Sequence, residues 1–308
     1  MKKQLPFIAI AGLLALVAAC GSSAKSSAGT TAKPAESQFY VALGDSYTSG
    51  YQPANNGQPA GNTTNGFVYQ LVPKLAAKGI NVQLANFGCG GATTTSILQT
   101  NGCPPMALGP NGEQYPNEPQ ATAAENFIKA HSGKVALITV SIGGNDVTAC
   151  AANPDPIGCV GTAVKNVQTN VTTLVKGLRD AAGPNVQIVG ITYPDVVLGQ
   201  WVAAPQAPMN QAANQSLAQI SVTAFQQFIN PTLKSTYESV GGTFVDVTTA
   251  TGGYTPLTET TTLAPYGTVP TAVAKVCDLT FYCTLRDIHP QTSGYTQIAD
   301  LVAAVVKK

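Results

Sequence analysis

The chain has 308 residues and a net charge of +1, and only 10% of its residues are charged. That length admits one large α/β domain or two small ones. With no basic patch or stripe nucleic acid is not an expected partner, and so weakly charged a surface does little electrostatic steering, which makes a neutral or apolar substrate more natural than a polyanion.

The first residues carry a processing signal. Lys2 and Lys3 are followed by an apolar run from Leu5 to Ala19, short of the about 20 residues that a bilayer-spanning helix needs. Val17-Ala18-Ala19-Cys20-Gly21 places small residues before a cysteine. This resembles a bacterial lipoprotein signal, in which the cysteine is lipidated and becomes the new N-terminus. An ordinary secretory signal is the alternative. The expectation is therefore a signal peptide over residues 1–19 and a flexible Ser/Ala/Thr/Lys-rich tether over 20–38 from a lipidated Cys20. The domain then spans 39–308, outside the cytoplasm, anchored to the membrane or secreted if Cys20 is unmodified.

Phe39 to Leu43 predicts a short buried strand, which leads into Gly44-Asp45-Ser46-Tyr47-Thr48-Ser49-Gly50. A serine at a glycine-flanked turn after a strand sits where open α/β sheets bind ligands, although all three of Gly-Asp-Ser also favour plain turns. A loop over residues 51–65 precedes a helix from Phe67 to Lys78, ended by Gly79. Ile80 to Leu84 alternates like a strand and runs into Asn86-Phe87-Gly88-Cys89-Gly90-Gly91-Ala92-Thr93-Thr94. This second glycine turn can aim backbone N–H groups at a negative charge or simply let strand and helix pack closely. Gln99 to Gln120 predicts a long loop, and Ala121 to Ala130 a helix. Val135 to Val140 predicts a strand covered on both faces, ending in a third glycine turn, Ser141-Ile142-Gly143-Gly144-Asn145-Asp146.

Val160 to Leu178 has the spacing of an amphipathic helix, stopped by Gly183-Pro184. Val186 to Ile191 predicts a fourth strand before Tyr193-Pro194-Asp195. A helix is expected over much of Asn210 to Ser239, with Leu217, Ile220 and Phe228 inward and Pro231 bending or splitting it. Thr243 to Val247 predicts the fifth strand, Thr248 to Arg286 a loop, and Thr292 to Val306 the last helix, with Tyr295, Ile298, Leu301, Val302 and Val305 on one face. Strands alternating with helices imply a parallel sheet covered on both sides, in one domain.

Once Cys20 is set aside, six cysteines remain: Cys89, Cys103, Cys150, Cys159, Cys277 and Cys283. An even set in an exported chain implies disulfides, with several connectivities open. Nearest-neighbour pairing (Cys89–Cys103, Cys150–Cys159, Cys277–Cys283) is the simplest, each bridge pinning one loop. The spacing does not suggest a zinc site.

A serine nucleophile needs a general base, and the chain offers two histidines. His131 lies at a predicted helix end before its strand, at the wrong edge of the sheet, and is expected to cap carbonyls. His289, in Arg286-Asp287-Ile288-His289-Pro290, stands outside the last helix and is free to reach the sheet edge. Taken together, Gly44-Asp45-Ser46, Gly91 in its glycine turn, Gly143-Gly144-Asn145-Asp146 and Asp287-Ile288-His289-Pro290, in that order, resemble the four blocks of the SGNH (GDSL) hydrolase family.

The resemblance implies a three-layer α/β/α flavodoxin-like fold with a five-stranded parallel sheet and no cofactor or metal. It implies carboxylic ester hydrolysis with Ser46 as nucleophile and His289 as base. The oxyanion donors would be the Ser46 N–H, the Gly91 N–H and the Asn145 side chain. Asp45 and Asp146 look structural, because aspartate readily binds turn N–H groups. One feature departs from the family, whose acid stands three residues before the histidine. That position is Arg286 here, and Asp287 stands two before. Either Asp287 orients His289 or the Arg286 carbonyl does so in a Ser–His dyad.

The lipid anchor, low charge and disulfide-pinned loops, with Gln99–Gln120 and Thr248–Tyr282 walling the acyl site, suit lipid or fatty-acyl esters and a monomer acting on small ester substrates. Deacetylation of polysaccharide is an alternative on the same machinery. A non-catalytic ligand-binding lipoprotein and a metal-dependent phosphoesterase using Asp45, Asp146 and His289 are the alternatives from other classes, the last being poor in histidine.

Overall fold

The first strand shows how the layers arise. β1 (Gln38–Gly44) is apolar at successive positions, so its alternating side chains feed two separate cores. Val41 and Leu43 join one, and Tyr40 and Ala42 the other. The structure is a computed structural model that describes residues 38–153, 155–204 and 210–308. The signal peptide over 1–19, Cys20 and the tether up to residue 37 lie outside the described residues. Gln38, expected to end the tether, is the first residue of β1. Among the described residues, no helix is long and apolar enough to cross a membrane.

Four further strands complete a parallel sheet: β2 (Val82–Asn86), β3 (Val135–Ser141), β4 (Gln187–Ile191) and β5 (Thr243–Val245). Their spatial order is β2-β1-β3-β4-β5, the doubly wound order of flavodoxin-like sheets. Val41 of β1 stands opposite Ala85 on one side and Ile138 on the other. This interior position, between β2 and β3, puts Ser46, just past β1, at the sheet's C-terminal edge with a strand on either side.

Three long helices cover the Val41/Leu43 face: α3 (Gln120–Ala130), α4 (Pro156–Ala182) and α6 (Asn230–Glu238). The opposite face is covered by α2 (Phe67–Ala77) and α8 (Thr292–Val305), through Phe67, Leu71, Tyr295, Ile298 and Val302. On the first face, the ring of Tyr237 from α6 lies where a side chain at Gly190 of β4 would stand. A Cβ there would come within 2.1 Å of the ring, so glycine is the residue this strand position accepts.

Three expectations need correction. The helical region after Asn210 is broken, as Pro231 suggests, into α5 (Gln211–Ala224), a π-turn (Phe225–Ile229) and α6. However, Ile220 and Phe228 point outward, at 45% and 55% exposure. The inward face of α5 consists of Asn214, Ala218 and Ser221. It is chosen by polar anchors: Asn214 donates to the Ala203 carbonyl and Ser221 to Asp195.

Secondly, residues 248–286 are not a plain loop. They hold a hairpin (Thr260–Leu263 with Gly267–Pro270), α7 (Thr271–Leu279) and a short turn of helix at Tyr282–Leu285. Ala272, Val273 and Val276 of α7 pack against Leu198 in a third, small core, a pattern too short to stand out as a period. Thirdly, β2 starts at Val82, two residues later than expected, because Ile80 is used in the turn after α2, where its N–H bonds the Leu75 carbonyl.

The disulfides follow nearest-neighbour pairing: Cys89–Cys103, Cys150–Cys159 and Cys277–Cys283, with Cα–Cα distances of 5.8, 5.6 and 5.2 Å. His131 closes the C-terminus of α3. Its Nδ1 lies 2.8 Å from the Phe127 carbonyl, and its ring rests against Phe39 and Phe127. It therefore sits at the sheet edge remote from Ser46.

Candidate active site

The turn after β1 is built for a close approach of backbone. Gly44 has φ +144°, and a Cβ there would lie 2.1 Å from the Ser141 carbonyl oxygen and 2.5 Å from Thr48 Oγ1. Only glycine fits between two strands and the following turn of helix. Asp45 caps that turn, its carboxylate accepting from the Tyr47 N–H at 3.0 Å. Ser46 is thus the first residue of a helical turn, 7% exposed. Gln120 holds the strand end from the side, accepting from the Gly44 N–H and donating to the Gly44 carbonyl.

Ser46 Oγ lies 2.8 Å from His289 Nε2, and His289 Nδ1 lies 2.6 Å from Asp287 Oδ1. A carboxylate can only accept, so Nδ1 carries the proton and Nε2 is free to accept the serine proton. The same Asp287 oxygen accepts the His289 main-chain N–H at 2.9 Å. Arg286 adopts the left-handed conformation, φ +55°. The Asp287 carboxylate reaches the ring although only one residue separates the two. Among the described residues the Arg286 carbonyl makes no bond to His289. Burial pushes the Asp287 carboxyl up, but hydrogen bonds from the His289 ring and N–H outweigh it and hold the group below its ordinary value.

The other oxyanion candidates lie in the loops after two other strands. Gly91 follows β2 with φ +81°. Neither its N–H nor that of Ser46 has a partner among the described residues. Asn145 lies on a short turn of helix after β3 (Gly144–Thr148), and its Nδ2 donates to the Ala92 carbonyl at 2.8 Å. That bond consumes one amide hydrogen, aims the group beside Gly91 and leaves the second hydrogen to give. Asp146 braces the pair, its carboxylate accepting from the Thr94 N–H and from Thr94 Oγ1 at 2.6 Å.

Asp45, Asp146 and His289 thus hold separate partners and do not converge. Among the described residues no group of three acidic, histidine or cysteine side chains is arranged to hold a metal ion.

Two cavities adjoin these loops. One, of about 130 Å³, is lined by Gly91, Ala92, Ile97, Pro104, Tyr115 and Gln120 among others. The other is an open, polar groove of about 670 Å³ beside Asp146, Asp155 and Asn166.

Sequence reasoning passed over a layer of support. The Tyr193 hydroxyl donates to Asp45 Oδ2 at 2.6 Å, and the Tyr47 hydroxyl to the Ile288 carbonyl at 2.7 Å. The signal for Tyr193 was its place just past β4, at the same edge as the three glycine turns. Asp45 and Asp195 are buried carboxyls that form no ion pair among the described residues. Burial raises Asp45 to about 6 against the Tyr193 and Tyr47 bonds, and raises Asp195 to about 7 against bonds from Ser221 and local N–H groups.

A carboxyl with a raised folded-state pKa binds its proton more tightly folded than unfolded. Stability is then fullest below the ordinary value of 3.8 and falls as pH rises towards 7, by at most about 1.4 kcal/mol per pH unit and carboxyl. Asp195→Asn keeps an acceptor for the Val197 N–H and leaves Ser221 bonded to the Ala218 carbonyl. The variant is expected to lose less Tm than wild type between pH 5 and pH 8 in thermal melts. Equal losses would contradict this account of Asp195.

The turn after β1 thus sets a serine against a histidine at the C-terminal edge of a parallel sheet. Residues 40–302 match the GDSL-like Lipase/Acylhydrolase family, and the chain belongs to it. In fold it is similar to the lipase Lip_vut3 from a goat rumen metagenome, with TM-score 0.53 and 17% identity over 87% of this chain and 97% of that one. An extracellular lipase from Streptomyces rimosus (TM-score 0.46, 18% identity, 87% and 99% covered) also matches. So does a phospholipase A1 from Streptomyces albidoflavus NA297 (TM-score 0.47, 16% identity, 87% and 99% covered). None of the curated proteins matches the sequence.

Proposed function

We propose that the chain is a serine hydrolase that cleaves carboxylic esters through an acyl-enzyme. The observation that carries this reading is the unbroken line of contacts Ser46–His289–Asp287, at 2.8 and 2.6 Å. Ser46 Oγ attacks the ester carbonyl carbon while His289 Nε2 takes its proton. The oxygen that becomes negative is met by the N–H groups of Ser46 and Gly91 and by the Asn145 amide. The carbon–oxygen bond to the alcohol then breaks, and Nε2 returns the proton to the departing oxygen. Water, deprotonated by the same nitrogen, releases the acid and restores Ser46. Asp287 keeps the ring in the tautomer this needs and stabilises the imidazolium.

Asn145→Ala removes a donor used most strongly in the transition state. It is expected to lower kcat about 10²–10³-fold with little change in KM. Steady-state kinetics on a p-nitrophenyl ester measures this.

The preferred substrates in this reading are lipid or fatty-acyl esters, in keeping with a chain tethered through a lipidated Cys20 to the outer face of a membrane. The segment around Cys20 supports that address. A second reading, removal of acetyl or other short acyl groups from a polysaccharide, is favoured by the small cavity beside Gly91. Its about 130 Å³ approaches the about 150 Å³ of a cavity that holds one benzene. A panel of p-nitrophenyl esters from acetate to palmitate tests both, with Ser46→Ala as control. A maximum at long chains supports the first reading, and one at acetate or butyrate the second. If wild type and Ser46→Ala are indistinguishable across the panel, the esterase reading fails.

A further inference from the structure

The peptide unit joining Ile288 to His289 is held at both ends. Its N–H donates to Asp287 Oδ1 at 2.9 Å, and its carbonyl accepts the Tyr47 hydroxyl at 2.7 Å. Tyr47 is the residue immediately after Ser46, on the same turn of helix. One rigid turn therefore carries the hydroxyl that His289 must reach and also grips the backbone from which His289 hangs.

The Tyr47 ring is itself immobilised. It is 3% exposed and packs edge-on against Tyr193 at 4.9 Å, with the Tyr295 and His289 rings each 6.0 Å away. Tyr193 in turn donates to Asp45 on the other side of Ser46. The other bonds onto this segment come from elements that do not bear Ser46: Phe281 N–H to the His289 carbonyl, and Gln52 to the Pro290 carbonyl.

From this geometry we infer that Tyr47 is a positioning residue: its hydroxyl, through the Ile288 carbonyl, sets the distance and angle between His289 and Ser46. The inference rests on the functional reading above. It gives the compact Asp287-Ile288-His289 turn a second support, opposite to Asp287. A reacting pair displaced by even about 1 Å can lose about 10²-fold in rate, and one hydrogen bond on the shared peptide decides such a displacement.

Tyr47→Phe keeps the ring and its packing and deletes only the bond to Ile288. It is expected to lower kcat roughly 10- to 100-fold while leaving KM essentially unchanged. It is also expected to broaden or shift upfield the low-field proton resonance of His289 Nδ1–H, assigned by its loss in His289→Gln. Tyr40→Phe is the matched control. It loses a buried hydroxyl bond of the same kind, to Thr139 at 2.8 Å, away from the site. It should lower Tm and leave both kcat and the resonance as they are.

Wild-type kcat and an unaltered resonance in Tyr47→Phe would overturn the inference, as would an equal loss of kcat in Tyr40→Phe. A wild type that hydrolyses no ester would instead overturn the functional reading, and the resonance would still decide the Tyr47 contact.

Discussion

Ser46→Ala is expected to lower kcat about 10⁶-fold, the scale on which hydrolases that use a serine and a histidine as one unit lose activity. His289→Ala should cost about as much, and the double variant little more, because removing either member leaves the other with nothing to do. Some acceleration over water should survive, since the Ser46 and Gly91 N–H groups and Asn145 remain. The protein should stay folded: among the described residues the Ser46 hydroxyl bonds only to His289, and alanine is at ease in a helical turn. Steady-state kinetics beside thermal melts separates the two effects. A Ser46→Ala protein that melts like wild type and keeps a measurable share of its kcat would show that another group performs the attack.

Asp287→Asn is expected to cost about 10⁴-fold in kcat. Asparagine can offer the ring an N–H where the carboxylate offered an acceptor. His289 then takes the other tautomer, with the proton on Nε2 facing Ser46, and cannot accept the serine proton. The electrostatics agree. The His289 bonds hold Asp287 below its ordinary value of 3.8, so it stays charged at neutral pH. Its contribution to stability is full above that ordinary value and is lost as pH falls through its lowered one. A loss of only a few-fold in Asp287→Asn, with the pH profile of kcat/KM unchanged, would instead support a Ser–His dyad steered from elsewhere.

Much of this arrangement was visible in local sequence, for a physical reason. A strand covered on both faces must be apolar or have its polar groups bonded, and Val135 to Val140 is apolar except for Thr139, whose hydroxyl pairs with Tyr40. A strand that turns at once into a helix at a crowded edge must use glycine, as Gly44 does, and Gly91 and Gly143 in the other two turns also have positive φ. The six cysteines of the described chain bridge within their own loops, so simple adjacency predicted their pairing.

What was not legible depends on contacts between distant segments. Gln120 closes a predicted loop, yet it is the first residue of α3 and a buried clamp on Gly44, 76 residues away. The inward face of α5 is set by Asp195 and Ala203 rather than by its own apolar residues. α7 earns its stability against Leu198, in a window too short for periodicity. The support from Tyr47 joins residues 241 apart in sequence, and no local pattern announces such a bond. The left-handed turn at Arg286, just before the Asp287-Ile288-His289 segment, is a conformation that sequence alone gives little cause to expect at arginine.

The most direct measurement is to label the wild-type protein with a fluorophosphonate probe and locate the adduct by peptide mass spectrometry. The account predicts a single modification on Ser46, absent in Ser46→Ala and much slower to form in His289→Ala. An adduct on a different residue, or labelling as rapid without His289 as with it, would contradict it.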